Sequence, residues 1–252
     1  MALSLYSRAM CGKKDNIYAN ALPEVTNFSF NHNVVDVFDD MLQRSIPGYG
    51  AVIHQMGAFA AQYVTPQTNI YDLGCSLGAA TFAIRNSVDT PGCQIIAVDL
   101  SADMIARFES RLERHMGVLP VDARCMDVLA LELANASFVV MNFTLQFIDT
   151  PLKEQIIQNI FNGLNPGGAL ILSEKIVFAS PAEQGFIESA YFGLKRHNGY
   201  NDLEISQKRD ALENVLKLET VHAHTDRLRR MGFSTVCQWY QNLNFASFVA
   251  VK

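Results

Sequence analysis

Two glycines that follow an aspartate have the spacing of a ligand-binding turn. Asp72, Gly74 and Gly78 stand at or after the end of a short apolar run, Asn69–Leu73, which predicts a buried strand. Glycine has no Cβ, so the backbone can turn sharply and a ligand can approach it closely. Residues 79–84 predict the start of a helix, whose first N–H groups have no partner within the helix. Because ligands of open α/β sheets bind at the carboxyl ends of strands, we expect a nucleotide-type cofactor across this turn.

The glycine spacing excludes the usual dinucleotide fingerprint, G-x-G-x-x-G. The order here is Gly74-x-Ser76-x-Gly78, with an acid two residues before the first glycine. This pattern resembles D/E-x-G-x-G-x-G, the first motif of the class I S-adenosylmethionine-dependent methyltransferases, with Ser76 in place of the middle glycine. The alternative is an ordinary strand-to-helix turn, which the motif alone does not exclude.

Short polar side chains end four consecutive predicted strands: Asp72, Asp99, Asp127 and Asn142. A single one would fit a helix cap or an Asx turn, but four in series beside a glycine turn favour a ligand. Asp99 could accept hydrogen bonds from both ribose hydroxyls, Asp127 from an adenine amine, and Asn142 could contact an amino-acid end. Asp72 could instead hold the turn itself.

Composition limits the classes of partner. The chain of 252 residues has 20 basic and 25 acidic residues, a net charge of −5 and a pI near 5.7. Direct nucleic-acid binding is not expected, because neutralising phosphates requires clustered Lys and Arg. No apolar stretch approaches the roughly 20 residues that span a bilayer, so we expect a soluble cytoplasmic protein.

The cysteines and histidines show no metal-binding spacing. There is no C-x-x-C pair and no H-x-x-x-H pair, so neither a metal site nor a disulfide framework is predicted. Cys75 is interpreted as a packing residue rather than a nucleophile, and His222 and His224 as surface residues. The five cysteines are expected to be reduced: Cys11, Cys75, Cys93, Cys125 and Cys237.

The pattern of elements predicts an α/β fold with a doubly wound, mostly parallel sheet. Strands alternate with helical crossovers, which places parallel strands side by side. Two final runs, 234–240 and 244–251, predict an antiparallel hairpin. The other strands are expected at 69–73, 94–99, 123–126, 137–142 and 169–174, and helices at 34–46, 49–63 and 152–164, with Ser101 capping another.

This arrangement resembles the Rossmann-like class I methyltransferase fold, with seven strands and helical cap segments. We expect one domain over residues 1–252. It would comprise an N-terminal helical cap (1–67), a SAM-binding core (68–175 and 231–252) and a helical insertion (176–230).

Motifs along the whole chain resemble a particular family, the carboxy-S-adenosyl-L-methionine synthases. The resemblance extends from about residue 30 onward, and Ser76 fits it. It is carried by VFDDM (37–41), RSIPGY (44–49), YDLGCSLGAAT (71–81), NFTLQF (142–147), GLNPGGA (163–169), SEK (173–175), GY (199–200) and LEISQKR (203–209).

The resemblance implies unusual chemistry. Family members combine S-adenosylmethionine with prephenate, which loses carbon dioxide and its hydroxyl to become phenylpyruvate. The sulfonium methyl loses a proton and the resulting ylide captures the carbon dioxide. The product, carboxy-S-adenosylmethionine, serves a separate enzyme that modifies the wobble uridine of tRNA. Such chemistry requires a covered, dry crevice.

The resemblance also implies a ligand set and an assembly. Arg209 would reach in from the other subunit of a homodimer and grip a carboxylate with two hydrogen bonds. Tyr49 would lie near the sulfonium, and Leu100 departs from the Asn expected after the acid. The complete implied set for S-adenosylmethionine and its carboxylated form is Tyr49, Gly74, Cys75, Ser76, Asp99, Leu100, Asp127, Val128, Asn142 and Arg209.

Several alternatives remain open from the sequence. Arg209 follows Lys208 in an amphipathic segment, and such a pair is usually a solvated face. Tyr49 after Pro-Gly fits a capping aromatic, Arg44 fits a substrate ligand or a structural ion pair, and Tyr200 has no assigned role. A conventional small-molecule methyltransferase and a non-catalytic S-adenosylmethionine-binding subunit are the alternative functions, because the fold alone does not choose between them.

Overall fold

The chain forms one seven-stranded sheet in the order β3-β2-β1-β4-β5-β7-β6. The structure, a computed structural model, describes residues 13–252, so Cys11 lies outside the described residues. Strands β1 to β5 pair in parallel, whereas β7 pairs antiparallel with both β5 and β6, which confirms the predicted class. The strands are β1 (Asn69–Leu73), β2 (Gln94–Asp99), β3 (Val121–Cys125), β4 (Ala136–Asn142), β5 (Leu164–Lys175), β6 (Thr235–Asn242) and β7 (Phe245–Val251).

Eight helices flank the sheet in the described part of the chain. Their starts follow ordinary capping chemistry: Asn31, Ser101 and Ser180 accept backbone N–H bonds, and Asn201 forms a capping box with Glu204. The helices are α1 (His32–Ser45), α2 (Tyr49–Tyr63), α3 (Ala79–Ser87), α4 (Ala102–Leu112), α5 (Thr150–Gly163), α6 (Pro181–His197), α7 (Asp202–Glu213) and α8 (Val221–Arg230).

Both faces of the central strands are buried, which explains their continuous apolar runs. In β1, Ile70 packs on one side with residues of α2, α3 and α4, while Tyr71 and Leu73 pack on the other side. The second side is covered by α5 and α8. Successive side chains of a strand alternate in direction, so a single strand supplies both layers.

The bounds of β3 to β7 differ from the prediction by one residue or more, and by most in β5. β3 begins and ends earlier, at Val121 and Cys125. β5 begins at Leu164 rather than Ala169, because Leu164 already pairs with Ala136 before the register shifts. Residues 165–168 therefore form an irregularity within the strand, where the sequence predicts only a turn.

Helices α6 and α7 form an excursion from the sheet, here called the α6–α7 segment (residues 177–218). Its two ends meet: Ile176 and Glu219 form a parallel bridge, and the Val177 N–H donates to the Glu219 carbonyl at 3.1 Å. The fully buried Lys153 of α5 binds the Glu219 carboxylate at 2.9 Å. The helix that follows, α8, packs against the final hairpin, so the last part of the predicted insertion 176–230 belongs to the sheet's helical layer.

The α6–α7 segment is tied to the N-terminal part of the chain. The Phe28 N–H donates to the Ala211 carbonyl at 2.9 Å. The buried Gln207 side chain donates to the carbonyls of Tyr18 and Asn20 and accepts from the Leu22 N–H.

No helix within residues 13–252 is long and apolar enough to cross a membrane.

Candidate functional site

A cavity of about 1110 Å³ opens at the carboxyl ends of the parallel strands, between the sheet and helices α1, α6 and α7. Aromatic side chains of the N-terminal segment and of the β4–α5 loop contribute to its wall, among them Phe28, Phe30 and Phe147. All ten residues of the predicted ligand set line it. The structure therefore brings together residues spread over 161 positions, from Tyr49 to Arg209, although their ligand roles remain predictions.

Asp72 holds the first turn, as one interpretation of the sequence proposed. Its Oδ2 accepts from the backbone N–H of Thr81 at 3.0 Å and from the Thr81 hydroxyl at 2.6 Å. These bonds fix the first turn of α3 against the end of β1. Complete burial raises the pKa of Asp72 to about 6, although the hydrogen bonds from Thr81 act in the opposite direction.

The glycines of the turn are required by backbone geometry. Gly74 has φ +80°, and a Cβ there would lie 2.2 Å from Thr144 Oγ1, while Gly78 has φ +84° and meets Phe108 in the same way. Ser76 also adopts a positive φ of 48°, and its N–H donates to Asp99 Oδ2 at 2.9 Å. Ser76 thus stands where the general motif has glycine, and the hydrogen bond to Asp99 at the end of β2 stabilises its positive φ.

Cys75 is a packing residue, as interpreted from the sequence. Its side chain is 5% exposed and belongs to the apolar cluster on the α2–α4 side of the sheet. Burial raises the pKa of the thiol well above its usual range, so the nucleophilic thiolate is disfavoured. Cys75, Cys93, Cys125 and Cys237 are all free thiols.

Asp99 and Leu100 form the wall at the end of β2. The Asp99 carboxylate accepts from the N–H groups of Ser76 and Ser101, both at 2.9 Å, and burial raises its pKa. Each carboxylate oxygen can accept more than one hydrogen bond, so capacity remains for a ligand. Leu100 is 73% exposed beside it, which offers an apolar surface at the cavity.

Asp127 and Val128 continue the wall past β3. Asp127 is exposed and accepts from the Leu129 N–H at 2.9 Å, which caps a short 3-10 helix, Val128–Ala130. The cap interpretation is therefore correct for Asp127. Because the side chain is exposed at the cavity, it can also accept from a ligand.

Asn142 ends β4 with an unsatisfied acceptor. Its Oδ1 is buried and has no hydrogen-bond partner among the described residues, yet the residue lines the cavity. Buried polar atoms in native proteins are nearly always paired. The following residue, Phe143, has φ +58°, a conformation that is uncommon for a bulky residue. An orphaned amide oxygen beside a strained backbone is typical of a ligand-binding position.

Tyr49 begins α2 directly after Gly48, whose φ is +71°. A Cβ at Gly48 would meet the hydroxyl of Tyr240, which donates to the Pro47 carbonyl at 2.9 Å. The hairpin strand β6 thereby fixes the bend that presents Tyr49 to the cavity. The half-buried Tyr49 ring lies 6.5 Å from that of Phe143, between ring centroids.

Arg209 lies on the wall of the cavity of its own chain. Its side chain is 61% exposed and its guanidinium pairs with the neighbouring Asp210 at 3.0 Å. The solvated-face interpretation is correct for this residue in the isolated chain. It is wrong for Lys208, which is 5% exposed and pairs with Asp15 at 3.3 Å, because α7 turns that side toward the N-terminal segment.

Three lysines on the cavity wall were missed as site residues by sequence reasoning: Lys175, Lys195 and Lys208. Lys175 ends β5, so the strand-end rule that selected Asp72 and Asn142 could have found it. Lys195 stands in a run of basic residues at the end of α6, and no signal in the sequence separates it from solvated neighbours.

Arg44 and Tyr200 are structural residues. Arg44 binds the Asp40 carboxylate and the Asp15 carbonyl, and its guanidinium carbon stands 3.9 Å from the centre of the Tyr200 ring. The Tyr200 hydroxyl donates to Asp15 Oδ2 at 2.7 Å. The ion-pair interpretation of Arg44 is therefore the correct one.

The two histidines of α8 differ in environment. His222 is exposed, as expected. The expectation is wrong for His224, which is 1% exposed and packs its ring against Phe248. Burial lowers its pKa to about 4, so it stays neutral. Within residues 13–252, no three His, Cys, Asp or Glu side chains are grouped closely enough to hold a metal ion.

Comparison with solved structures identifies the fold. The magnesium protoporphyrin IX methyltransferase of Synechocystis with bound SAM aligns at a TM-score of 0.57 with 15% identity, over 84% of each chain. Human N-acetylserotonin methyltransferase in complex with SAM aligns at 0.56 with 14% identity, over 88% of this chain and 55% of that one. These likenesses show the class I methyltransferase fold.

Sequence comparison identifies the family. A methyltransferase domain model matches residues 70–168. The carboxy-S-adenosyl-L-methionine synthase of Trichlorobacter lovleyi is 51% identical over 244 residues, 96% of this chain and 100% of that protein. The one of Shewanella sediminis is 47% identical over 239 residues, 95% of this chain and 98% of that protein. The chain thus belongs to the carboxy-S-adenosyl-L-methionine synthase family.

Proposed function

We propose that this protein converts S-adenosylmethionine and prephenate to carboxy-S-adenosylmethionine and phenylpyruvate. Carbon dioxide leaves prephenate and becomes bonded to the former methyl carbon, and the hydroxyl of prephenate and the methyl proton leave as water. The observation that carries the proposal is one cavity in which strand-end acceptors, including the orphaned Asn142 Oδ1, meet cationic side chains of α7. Family membership supports the same reaction.

The cavity residues fit S-adenosylmethionine as a bound substrate. Asp99 would accept from the ribose hydroxyls, Asp127 from the adenine amine, and Asn142 would use its free Oδ1 for the amino group of the methionine end. Leu100 and Val128 would pack on the adenine, and Tyr49 would lie near the sulfonium. The sulfonium makes the attached methyl acidic, which is the chemistry that the substrate supplies.

The surrounding segments would exclude water. Phe28, Phe30 and Phe147 line the cavity, and α7 holds the N-terminal segment in place through Gln207. A dry cavity strengthens electrostatic contacts and keeps released carbon dioxide near its acceptor. Arg209 would secure the new carboxylate, because a guanidinium can bind a carboxylate with two parallel hydrogen bonds.

The deciding experiment is a product assay. The purified protein is incubated with S-adenosylmethionine, with and without prephenate, and the nucleoside products are weighed by mass spectrometry. We expect carboxy-S-adenosylmethionine only when prephenate is present. S-adenosylhomocysteine formed with a methyl acceptor would instead indicate a conventional methyltransferase, and unchanged ligand despite tight binding would indicate a non-catalytic subunit.

We also propose that Arg209 discriminates between the two forms of the ligand. Arg209→Ala should leave S-adenosylmethionine affinity unchanged and weaken carboxy-S-adenosylmethionine by about tenfold or more, because only the latter carries the added carboxylate. Isothermal titration measures both affinities, with the exposed Arg229→Ala as control. If the substitution changed the affinities for the two ligands by the same factor, Arg209 would have no specific role in binding the added carboxylate.

The protein is proposed to act as a homodimer in which Arg209 serves the site of the second subunit. The side chain is 61% exposed and pairs with the adjacent Asp210, and a carboxylate of a ligand in a neighbouring copy could replace that exposed contact. Co-expression of Arg209→Ala with Asp99→Ala tests this, because a mixed dimer would contain one intact site only if Arg209 acts across the interface. We expect activity to return in the mixture; an inactive mixture would mean that Arg209 acts within its own chain.

The cellular setting of the proposal follows from charge and chemistry. The product would supply a separate enzyme that modifies the tRNA wobble uridine, so this acidic protein needs no contact with RNA. We place it in the cytoplasm, where its free thiols would remain reduced.

A further inference from the structure

Two lysines flank one tyrosine on the cavity wall. The Lys175 Nζ stands 5.3 Å from the centre of the Tyr191 ring and the Lys195 Nζ stands 4.9 Å from it. All three residues line the cavity, and both Tyr191 and Lys195 are only 5% exposed. The aromatic ring holds two ammonium groups within cation–π distance, although like charges repel each other.

Neither ammonium group has a counterion. Within residues 13–252, neither Nζ forms an ion pair or a hydrogen bond, in contrast to Lys153 and Lys208, which both bind carboxylates. The exposed Glu188 of α6 attracts Lys175 from a distance. Asp15 attracts Lys195, but its carboxylate is already bound to Lys208 and Tyr200.

This arrangement is costly without an anion. Burial lowers the pKa of Lys195 to about 7, and repulsion from Lys208 and Lys175 acts in the same direction. Burial also lowers the pKa of Lys175. Desolvated charges in proteins are normally paired, so a bound anion would relieve both the desolvation and the repulsion.

We propose that Lys175 and Lys195, positioned by Tyr191, form a carboxylate subsite that holds the acid group that prephenate retains in phenylpyruvate. The inference rests on the proposed function for the identity of the substrate. Two ammonium groups stabilise a carboxylate as an anion, which opposes its loss as neutral carbon dioxide. The lysines are therefore suited to the carboxylate that stays, and the departing one must lie away from them.

Binding measurements test the subsite without catalysis. With S-adenosylhomocysteine present, so that no reaction proceeds, prephenate and phenylpyruvate are titrated into wild type, Lys175→Gln and Lys195→Gln. We expect each variant to lose about tenfold or more in affinity for both acids, since a charged hydrogen bond is removed. The exposed Lys14→Gln is the matched control and should bind as wild type does.

Charge should be the deciding property. Lys195→Arg keeps a cation and should recover much of the affinity, and its binding should fall less than that of wild type as the pH rises from 6 to 9. The groups that face Lys195 are Tyr191, Lys175, Lys208 and Asp15, so the same profile in Lys208→Gln identifies any contribution from Lys208. Circular dichroism confirms that each variant is folded.

Three outcomes would overturn the subsite. The lysines would hold the methionine carboxylate instead if their variants weakened S-adenosylmethionine as much as the acids. If the lysine variants weakened prephenate but not phenylpyruvate, the lysines would bind the carboxylate that departs. If the affinity for both acids were unchanged, the lysines would have only a structural role. Lysine-dependent acid binding in a protein that makes no carboxylated product would retain the subsite and reject only the proposed reaction.

Discussion

An amide oxygen without a partner distinguishes Asn142 from the other polar strand ends. Asp72, Asp99 and Asp127 all accept backbone N–H groups, so each has a structural role in addition to any ligand role. Asn142 Oδ1 has none among the described residues. A buried unsatisfied acceptor costs about 1–3 kcal/mol, which a ligand donor would offset.

Asn142→Ala should therefore separate binding from stability. We expect affinity for S-adenosylmethionine to fall about tenfold, while the free energy of unfolding of the ligand-free protein stays the same or rises. Calorimetric titration and urea denaturation measure the two quantities, with the exposed Asn33→Ala as control. A large loss of stability without ligand would show that the amide serves the fold.

Asp72 should make stability depend on pH in an unusual direction. Its pKa in the folded protein is about 6, above the ordinary 3.8, so its contribution is fully present below about pH 4 and is lost as pH rises through 6. The difference in free energy of unfolding between wild type and Asp72→Asn should shrink by roughly 2 kcal/mol from pH 4 to pH 8. Urea denaturation across this range, with exposed Asp89→Asn alongside, measures it; a constant difference would contradict the raised pKa.

At the scale of the elements, the glycine of the β1–α3 turn cannot be replaced without strain, whereas a glycine of α6 can. Gly74 has a positive φ and no room for a Cβ beside Thr144, whereas a Cβ at Gly185 in α6 would meet nothing within 4 Å. The first glycine is required by geometry. The second only lowers the intrinsic stability of its helix.

Gly74→Ala should destabilise the protein by at least about 2 kcal/mol, while Gly185→Ala should stabilise it by up to about 1 kcal/mol. Chemical denaturation measures both. Adding Thr144→Ala to Gly74→Ala should recover part of the loss, because it relieves the clash but not the strained φ. An unchanged stability for Gly74→Ala would mean that the turn can shift to another conformation.

At the scale of the whole molecule, the sheet was predictable from the sequence. β1 and β2 have the predicted bounds because each is a short apolar run with an aspartate at or next to its last residue, followed by a turn. The carboxyl ends of parallel strands share one edge, so locating the strands also located Asp99, Asp127 and Asn142. β5 was predicted too short because Pro166 and Gly167 signal a turn even within a strand irregularity.

The cover of the site was far less predictable. Helix α7 buries Glu204, Gln207 and Lys208 beside Ile205 and Ala211, so its buried side is largely polar and shows little apolar periodicity. Gln207 and Lys208 bind Leu22 and Asp15, which lie more than 170 residues away in the sequence. Burial created by such distant polar contacts leaves no local pattern, which is why Lys208 was not recognised. His224 was misplaced because its burial comes from packing against Phe248 of the final strand.

Ile176 and Glu219, which flank the α6–α7 segment, pair with each other. This pairing has a consequence for how related enzymes could diversify. The chain leaves the sheet and returns to it at nearly one point, so the α6–α7 segment resembles an insertion into the α/β core. The sheet supplies the edge at which we propose that the adenosyl group binds, and the α6–α7 segment supplies Tyr191, Lys195 and Arg209. Because Gln207 and Lys208 bind residues 15–22, we expect that only exchange of this segment together with its N-terminal partners would direct the proposed chemistry toward a different acid.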